Sequence, residues 1–177
     1  YGMLSLACMI WLYRLLFIPG LILALPYYLH RMWKRGGYRR GLANRVGTMR
    51  SVPQKRHGVK RIWIQAVSVG ELNAIAPLMA MLYDNGGIEV ILTTTTSTGR
   101  AVAESRYRNI AAWIGNFPLD FAPFAARAWK ALQPDLAVLM ESELWPEHLH
   151  QARRRQVPVL LLNARLSEKK KKNHRKW

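Results

Sequence analysis

Residues 3–30, MLSLACMIWLYRLLFIPGLILALPYYLH, form an almost unbroken apolar run, and no other feature restricts the folding of this chain as much. Crossing a bilayer takes about twenty such residues. A helix apolar on every side has no place in the small core of one ordinary domain. The run therefore reads as a membrane-anchor helix occupying residues 1–30. A cleaved signal would carry its basic flank before the apolar stretch and a small-residue cleavage site after it. Here the basic flank follows, as RMWKRGGYRRGLANR at residues 31–45, and the positive-inside rule assigns that side to the cytoplasm. Arg14 and the Pro19-Gly20 pair are unusual within a plain spanning helix. They leave two geometries open: a spanning helix, or a kinked or partly re-entrant anchor in one leaflet.

Charge comes next. The chain holds 27 Lys and Arg against 10 Asp and Glu, a formal net charge of +17, and such an excess implies an anionic partner: nucleic acid, acidic membrane or a phosphorylated substrate. Residues 31–61 carry eleven Lys or Arg and no acid. A basic linker at residues 31–60, directly after an anchor, suits anionic headgroups, at roughly 1 kcal/mol per basic residue near the surface. Cys8 is the single cysteine, which excludes an intrachain disulfide and a cysteine-based zinc cluster.

From residue 61 the pattern becomes rhythmic. Strands are expected at 61–67, 88–94, 110–115, 134–141 and 157–164, and helices at 71–85, 99–107, 121–132 and 146–155. This alternation predicts an α/β domain over residues 61–177, a parallel sheet with helices on both faces. In such sheets ligands bind beyond the carboxyl ends of the strands, so the loops there are where function is sought. Glu71, the first acidic residue of the chain, falls where the first strand turns into a helix. Gly70 before it permits a tight turn and close backbone approach, the helix N-terminus favours negative charge, and a carboxylate so placed can act as a general base. It is equally a residue that commonly opens helices. TTTTSTG at residues 93–99 offers five threonine hydroxyls and a serine before a helix, suited to sugar or phosphate oxygens or simply to capping; it lacks the spacing of a P-loop. ESELWP at 141–146 puts Glu141 and Glu143 at a strand end, and Asp120 follows the third strand. His148 and His150 face different ways on the fourth helix, read as surface residues and are not expected to bind metal.

Four motifs stand in order: AVSVGE (66–71), TTTTSTG (93–99), ESELWP (141–146) and NARLSE (163–168). Together with the anchor they closely resemble the 3-deoxy-D-manno-octulosonic acid (Kdo) transferases, the lipid A glycosyltransferases of Gram-negative bacteria. The resemblance implies the amino-terminal, acceptor-binding half of a GT-B glycosyltransferase with Rossmann-like halves, working at the cytoplasmic face of the inner membrane. It implies CMP-Kdo as donor, the bisphosphorylated lipid A precursor as acceptor, inner-membrane anionic lipids as surroundings, and no cofactor or metal. By the same resemblance Glu71 is the catalytic base and Glu141 a second catalytic carboxylate. Ser68, Gly70, Thr95, Thr96, Ser97, Thr98, Gly99, Glu143 and Arg165 would line the acceptor site. Two departures stand out: Glu147 occupies a position where the family usually has Asn, and the tail is KKKKNHRKW. The resemblance covers only the first half of such an enzyme, so this chain is expected to bind acceptor or membrane without transferring Kdo alone. The rival readings are a membrane-tethered basic module for nucleic acid or anionic lipid, and a non-catalytic membrane-docking subunit. Nucleic acid is not expected, because the basic residues lack the aromatic interleaving of a recognised module.

Overall fold

The computed structural model describes residues 2–35, 41–141 and 144–162, and the side chains of all of these but 2–7, 28, 29 and 31–35. In chain order the elements are α1 (Gly2–Arg35), α2 (Leu42–Arg45), β1 (Lys60–Gln65), α3 (Val69–Ala74), α4 (Ala76–Asp84), β2 (Ile88–Thr94), α5 (Ser97–Tyr107), β3 (Trp113–Asn116), α6 (Ala122–Leu132), β4 (Leu136–Met140), α7 (Pro146–Arg154) and β5 (Val159–Leu162). The five strands form one sheet in the order β3-β2-β1-β4-β5, and every pairing is parallel. The α/β architecture with flanking helices is the one the alternation predicts.

Both sheet faces are covered, and the pleat explains how. Successive strand residues point to opposite faces, so Ile64, Val90, Leu92 and Val138 pack with Leu72, Met79, Ala103 and Tyr107 on one side. Trp63, Ile91 and Ala137 pack with Phe117, Ala125, Trp129, Leu132 and Ala152 on the other. Burial on both faces is why Val90, Ile91 and Leu92 of β2 stand as an unbroken apolar run and not as an alternation.

Where one helix is expected over 71–85 there are two. Pro77 has no N–H to donate, and its ring would collide with the carbonyl of Asn73 four residues earlier. The chain therefore closes α3 at Ala74, passes through Ile75 and restarts with Pro77 in the first turn of α4. The third strand begins at Trp113 and not at residue 110, because Ile110 and Ala111 still bond back to the Tyr107 carbonyl at the end of α5.

α1 is one continuous helix with Pro19 and Pro26 inside it. Its segment Cys8–Tyr27 is long and apolar enough to cross a membrane, with a mean hydropathy of 2.0, and makes α1 a candidate membrane anchor. Part of the basic charge after it is engaged within the domain. Lys55 pairs with Asp135 at 2.6 Å and Arg56 with Glu89 at 2.6 Å. Arg61, fully buried, pairs with Glu89 at 2.7 Å and also donates to the carbonyls of Leu132 and Pro53.

Candidate active-site rim

The strand order reverses direction between β1 and β4: β2 and β3 extend the sheet to one side of β1, whereas β4 and β5 extend it to the other. Connections then leave the two strands toward opposite faces and open a crevice at their carboxyl ends. Gln65 is level with Leu139 at the carboxyl ends of the two strands. The loops that leave these two strands carry Glu71 and Glu141.

Glu71 is held by reciprocal bonds at the start of α3. Ser68 is the N-cap of α3, and its hydroxyl oxygen accepts from the Glu71 N–H at 3.3 Å. The carboxylate reaches back, accepting from the Val67 N–H at 2.8 Å and from the Ser68 hydroxyl at 3.1 Å. Two donors and the helix turn thus fix the carboxylate, and with about four acceptor sites on its two oxygens it retains capacity for a further donor. Glu71 is 8 % exposed. Gly70 is exposed and has no positive φ, and a Cβ there would meet only the Ser68 Oγ at 3.8 Å. The chain does turn tightly from β1 to α3, but without a left-handed conformation at this glycine; its effect is to leave open surface next to Glu71.

The threonine-rich segment splits into two parts. Thr93 and Thr94 are buried, and a polar chain runs outward from the core: Trp63 Nε1 donates to Thr93 Oγ1 at 2.8 Å, Thr93 donates to Gln65 Oε1 at 2.7 Å, and Gln65 Nε2 donates to Thr95 Oγ1 at 3.0 Å. Thr96 caps α5 by accepting from the Gly99 N–H at 3.0 Å, and its hydroxyl lies 3.3 Å from the Val67 carbonyl as donor. That contact ties this loop to the one carrying Glu71. Gly99 permits the approach, because a Cβ there would come within 2.8 Å of Thr96 Oγ1 and 3.4 Å of the Val67 carbonyl. Ser97 and Thr98 are exposed on the first turn of α5.

Glu141 directly follows β4 with φ 56°, a left-handed conformation costing a non-glycine residue roughly 1–2 kcal/mol. Its N–H is anchored on the Leu162 carbonyl at 2.8 Å, and its side chain is half-buried. Glu143 and Arg165 lie outside the described residues. Just beyond, Trp145 rests against Phe117 at 5.6 Å, and its buried Nε1 has no hydrogen-bond partner among the described residues.

Packing decides the roles of Asp120 and His148. Asp120 is buried, and both its oxygens serve the start of α7, accepting from the N–H groups of Glu147 at 3.2 Å and His148 at 2.9 Å. Burial raises its pKa more than these bonds lower it. Capping leaves it no role at the crevice. His148, expected on the surface, is 2 % exposed within the aromatic cluster of Trp63, Phe117 and Trp129. Its Nδ1 accepts from Trp129 Nε1 at 3.1 Å, so Nε2 carries the proton and faces the Pro118 carbonyl at 3.3 Å. Burial lowers its pKa to about 4, and the Pro118 carbonyl and Glu147 only partly oppose that.

Sequence reasoning missed the cations of this rim. The Arg45 guanidinium donates to the Thr95 carbonyl, while Arg100 donates to Asn116 Oδ1 at 2.8 Å and to Glu104 at 2.8 Å. Gly41, at φ 93°, lets the chain pass so close to Asn116 that a Cβ would overlap Oδ1. Arg100 directly follows TTTTSTG, and that adjacency was the available signal; Arg45 was hidden in the longer basic run. Among the described residues no three His, Cys, Asp or Glu side chains converge as metal ligands.

The profile of a family described as 3-deoxy-D-manno-octulosonic-acid transferase (kdotransferase) matches residues 40–177. Three relatives carry the name 3-deoxy-D-manno-octulosonic acid transferase. That of Bordetella pertussis is 41 % identical over 114 residues, 60 % of this chain and 26 % of the relative. That of Haemophilus influenzae is 35 % identical over 133 residues, 73 % and 30 % of the two chains. That of Chlamydia pneumoniae is 27 % identical over 156 residues, 88 % and 35 %. The matched region thus spans about a quarter to a third of the length of these relatives.

Proposed function

This chain belongs to the 3-deoxy-D-manno-octulosonic acid transferase family, and from that premise we propose that its rim is the acceptor side of a GT-B glycosyltransferase working without a metal. In this reading CMP-Kdo is the donor and the bisphosphorylated lipid A precursor the acceptor, at the cytoplasmic face of the inner membrane. Residues 1–30 anchor the chain, 31–60 form the basic juxtamembrane segment, and 61–177 the acceptor-binding domain. The observation that carries the reading is that Glu71, in the first turn of α3, and Glu141, directly after β4, both lie just beyond the carboxyl ends of the two strands that flank the switch of strand order.

The chemistry follows from those positions. A glucosamine hydroxyl entering the crevice beside Gly70 donates to the Glu71 carboxylate, which takes its proton as the oxygen bonds to the anomeric carbon of Kdo. The bond from that carbon to the phosphate oxygen breaks, and CMP leaves with the electron pair. Glu71 suits the role because the Val67 N–H and the Ser68 hydroxyl hold it in one orientation, so little reorganisation precedes proton transfer. Glu141, in its left-handed turn, offers negative charge against the positive charge growing on the Kdo ring. Ser68, Thr95, Thr96, Ser97, Thr98 and Gly99, with Glu143 and Arg165, line the acceptor side, while Arg45 and Arg100 bring positive charge near its phosphates.

Binding of the full chain to vesicles with and without the bisphosphorylated precursor, at two salt concentrations, tests the reading. Binding that rises with the precursor beyond what equal anionic charge produces is expected, without Kdo transfer by this chain alone. Binding that tracks total anionic lipid only would leave a basic membrane-binding module instead.

A further inference from the structure

The anchor helix is not a free rod. Ile10, Tyr13, Arg14 and Phe17 repeat at helical spacing on one face of α1, and this face is the less exposed one. Arg14 makes a two-pronged pair with the fully buried Glu147, Nε to Oε2 at 2.9 Å and a terminal nitrogen to Oε1 at 3.0 Å. The Tyr13 hydroxyl donates to Asp120 Oδ2 at 2.7 Å, and the Phe17 and Phe121 rings stack at 5.4 Å. Asp120 in turn binds the first N–H groups of α7, and Gln151 supports Glu147 at 2.7 Å. The opposite face exposes Trp11, Leu12, Leu15, Ile18, Ile22 and Leu23.

These contacts conflict with a spanning helix. The apolar window Cys8–Tyr27 is about 30 Å long, the full hydrocarbon thickness. Tyr13 and Phe17 lie about 8 and 14 Å inside it. A docked spanning helix would drag Asp120, Glu147 and the starts of α6 and α7 toward the bilayer centre, where polar groups are rarely tolerated. An undocked one would strand Arg14 in lipid and leave Glu147 buried without its cation. Resting in one leaflet removes the conflict: the docked face stays on protein, the apolar face meets acyl chains, and the basic residues 31–45 meet anionic headgroups.

Resting on the membrane-anchor part of the function proposed above, we infer that α1 is a monotopic anchor. It is riveted to the domain by Arg14–Glu147 and Tyr13–Asp120, embeds its Trp11–Leu12–Leu15–Leu23 face in the acyl chains of a single leaflet, and keeps both ends on the same side of the membrane.

The experiment uses the full chain in Gram-negative inner membranes, with Cys8, the one cysteine, changed to Ser. Single cysteines at Gly2→Cys and Thr48→Cys are probed with a membrane-impermeant maleimide, on intact spheroplasts and on inverted vesicles. Flotation of the vesicles first establishes membrane attachment, and its failure would refute the anchor itself and not only its topology. Both positions are expected to label in inverted vesicles and neither in spheroplasts; labelling of Gly2→Cys only from the outer face would overturn the inference. In the same membranes a Phe17→Cys/Phe121→Cys pair is expected to be bridged by a short bis-maleimide, with a several-fold drop on adding Arg14→Leu. An unbridged pair, or a yield indifferent to Arg14→Leu, would overturn the rivet.

Discussion

His148 sets up a measurable acid sensitivity. With both ring nitrogens bonded in the neutral form, a second proton on Nδ1 would point at the Trp129 N–H that now donates to it. The folded pKa is lowered to about 4 from an unfolded value of 6.5. Above pH 6.5 both states are neutral and the group is silent. Below it the unfolded chain binds a proton that the folded chain refuses, so stability falls as pH falls until the folded pKa is reached. Each pH unit is worth about 1.4 kcal/mol, so about 2 kcal/mol is lost between pH 6.5 and 5. Glu89 and Glu147, both held below the usual carboxylate range because their arginine partners outweigh burial, lose their stabilising effect only below about pH 4.5. Asp120, whose pKa is raised by burial, acts with the opposite sign, and His150, lowered by burial, with the same sign as His148. Comparing wild type with His148→Gln cancels these groups. Denaturant midpoints of the chain in detergent, at pH 7.5, 6.5, 5.5 and 5, should fall in wild type by about 2 kcal/mol more than in His148→Gln. Equal slopes in the two proteins would refute the reasoning.

Thr96→Ala should destabilise the chain by about 1 kcal/mol through loss of the α5 cap, read in the same denaturation assay, and should weaken precursor binding because the loop loses its tie to the Val67 carbonyl. Arg61→Met leaves the buried Glu89 with only the exposed Arg56 and should cost about 3 kcal/mol, most of which the double change Arg61→Met/Glu89→Leu should restore. If Glu141 stabilises developing charge, Glu141→Gln in a transferase completed by the carboxyl-terminal part of the Bordetella pertussis relative should lower kcat at least tenfold with little change in acceptor KM.

How far these positions could be read from residue order depends on what fixes each one. Alternating apolar segments revealed the sheet because its period is local, and β2 matches its expected bounds at Ile88–Thr94. The helix break at Pro77 was legible too, but the apolar spacing of residues 71–85 concealed it. His148 was misplaced, and the role of Asp120 was left open, because their surroundings are assembled from distant segments. The aromatic cage brings β1, the β3–α6 loop and α6 around one histidine, and the capping of α7 by Asp120 spans 28 residues. The same applies to Arg14, which reads as an anomaly in an apolar run until Glu147, 133 residues away, stands beside it. Glu71 was legible as a helix-opening residue at a strand end. Its reciprocal bonding with Ser68 follows from the S-x-x-E spacing, whereas its bond from the Val67 N–H does not.

The spacing also supplies the decisive substitution. Gln is tolerated as well as Glu three residues after a Ser N-cap; its carboxamide oxygen can keep the bond from the Val67 N–H while the Ser68 hydroxyl turns to accept from its NH2, so Glu71→Gln keeps the turn and removes the proton acceptor. The measurement is Kdo transfer from CMP-Kdo to the lipid A precursor by this chain, completed with the carboxyl-terminal part of the Bordetella pertussis relative, alongside precursor binding and thermal stability. Glu71→Gln should lower kcat by about 10²–10⁴-fold while binding stays within about twofold and stability within about 0.5 kcal/mol. Transfer at the wild-type rate would contradict the account and leave Glu71 as a helix cap.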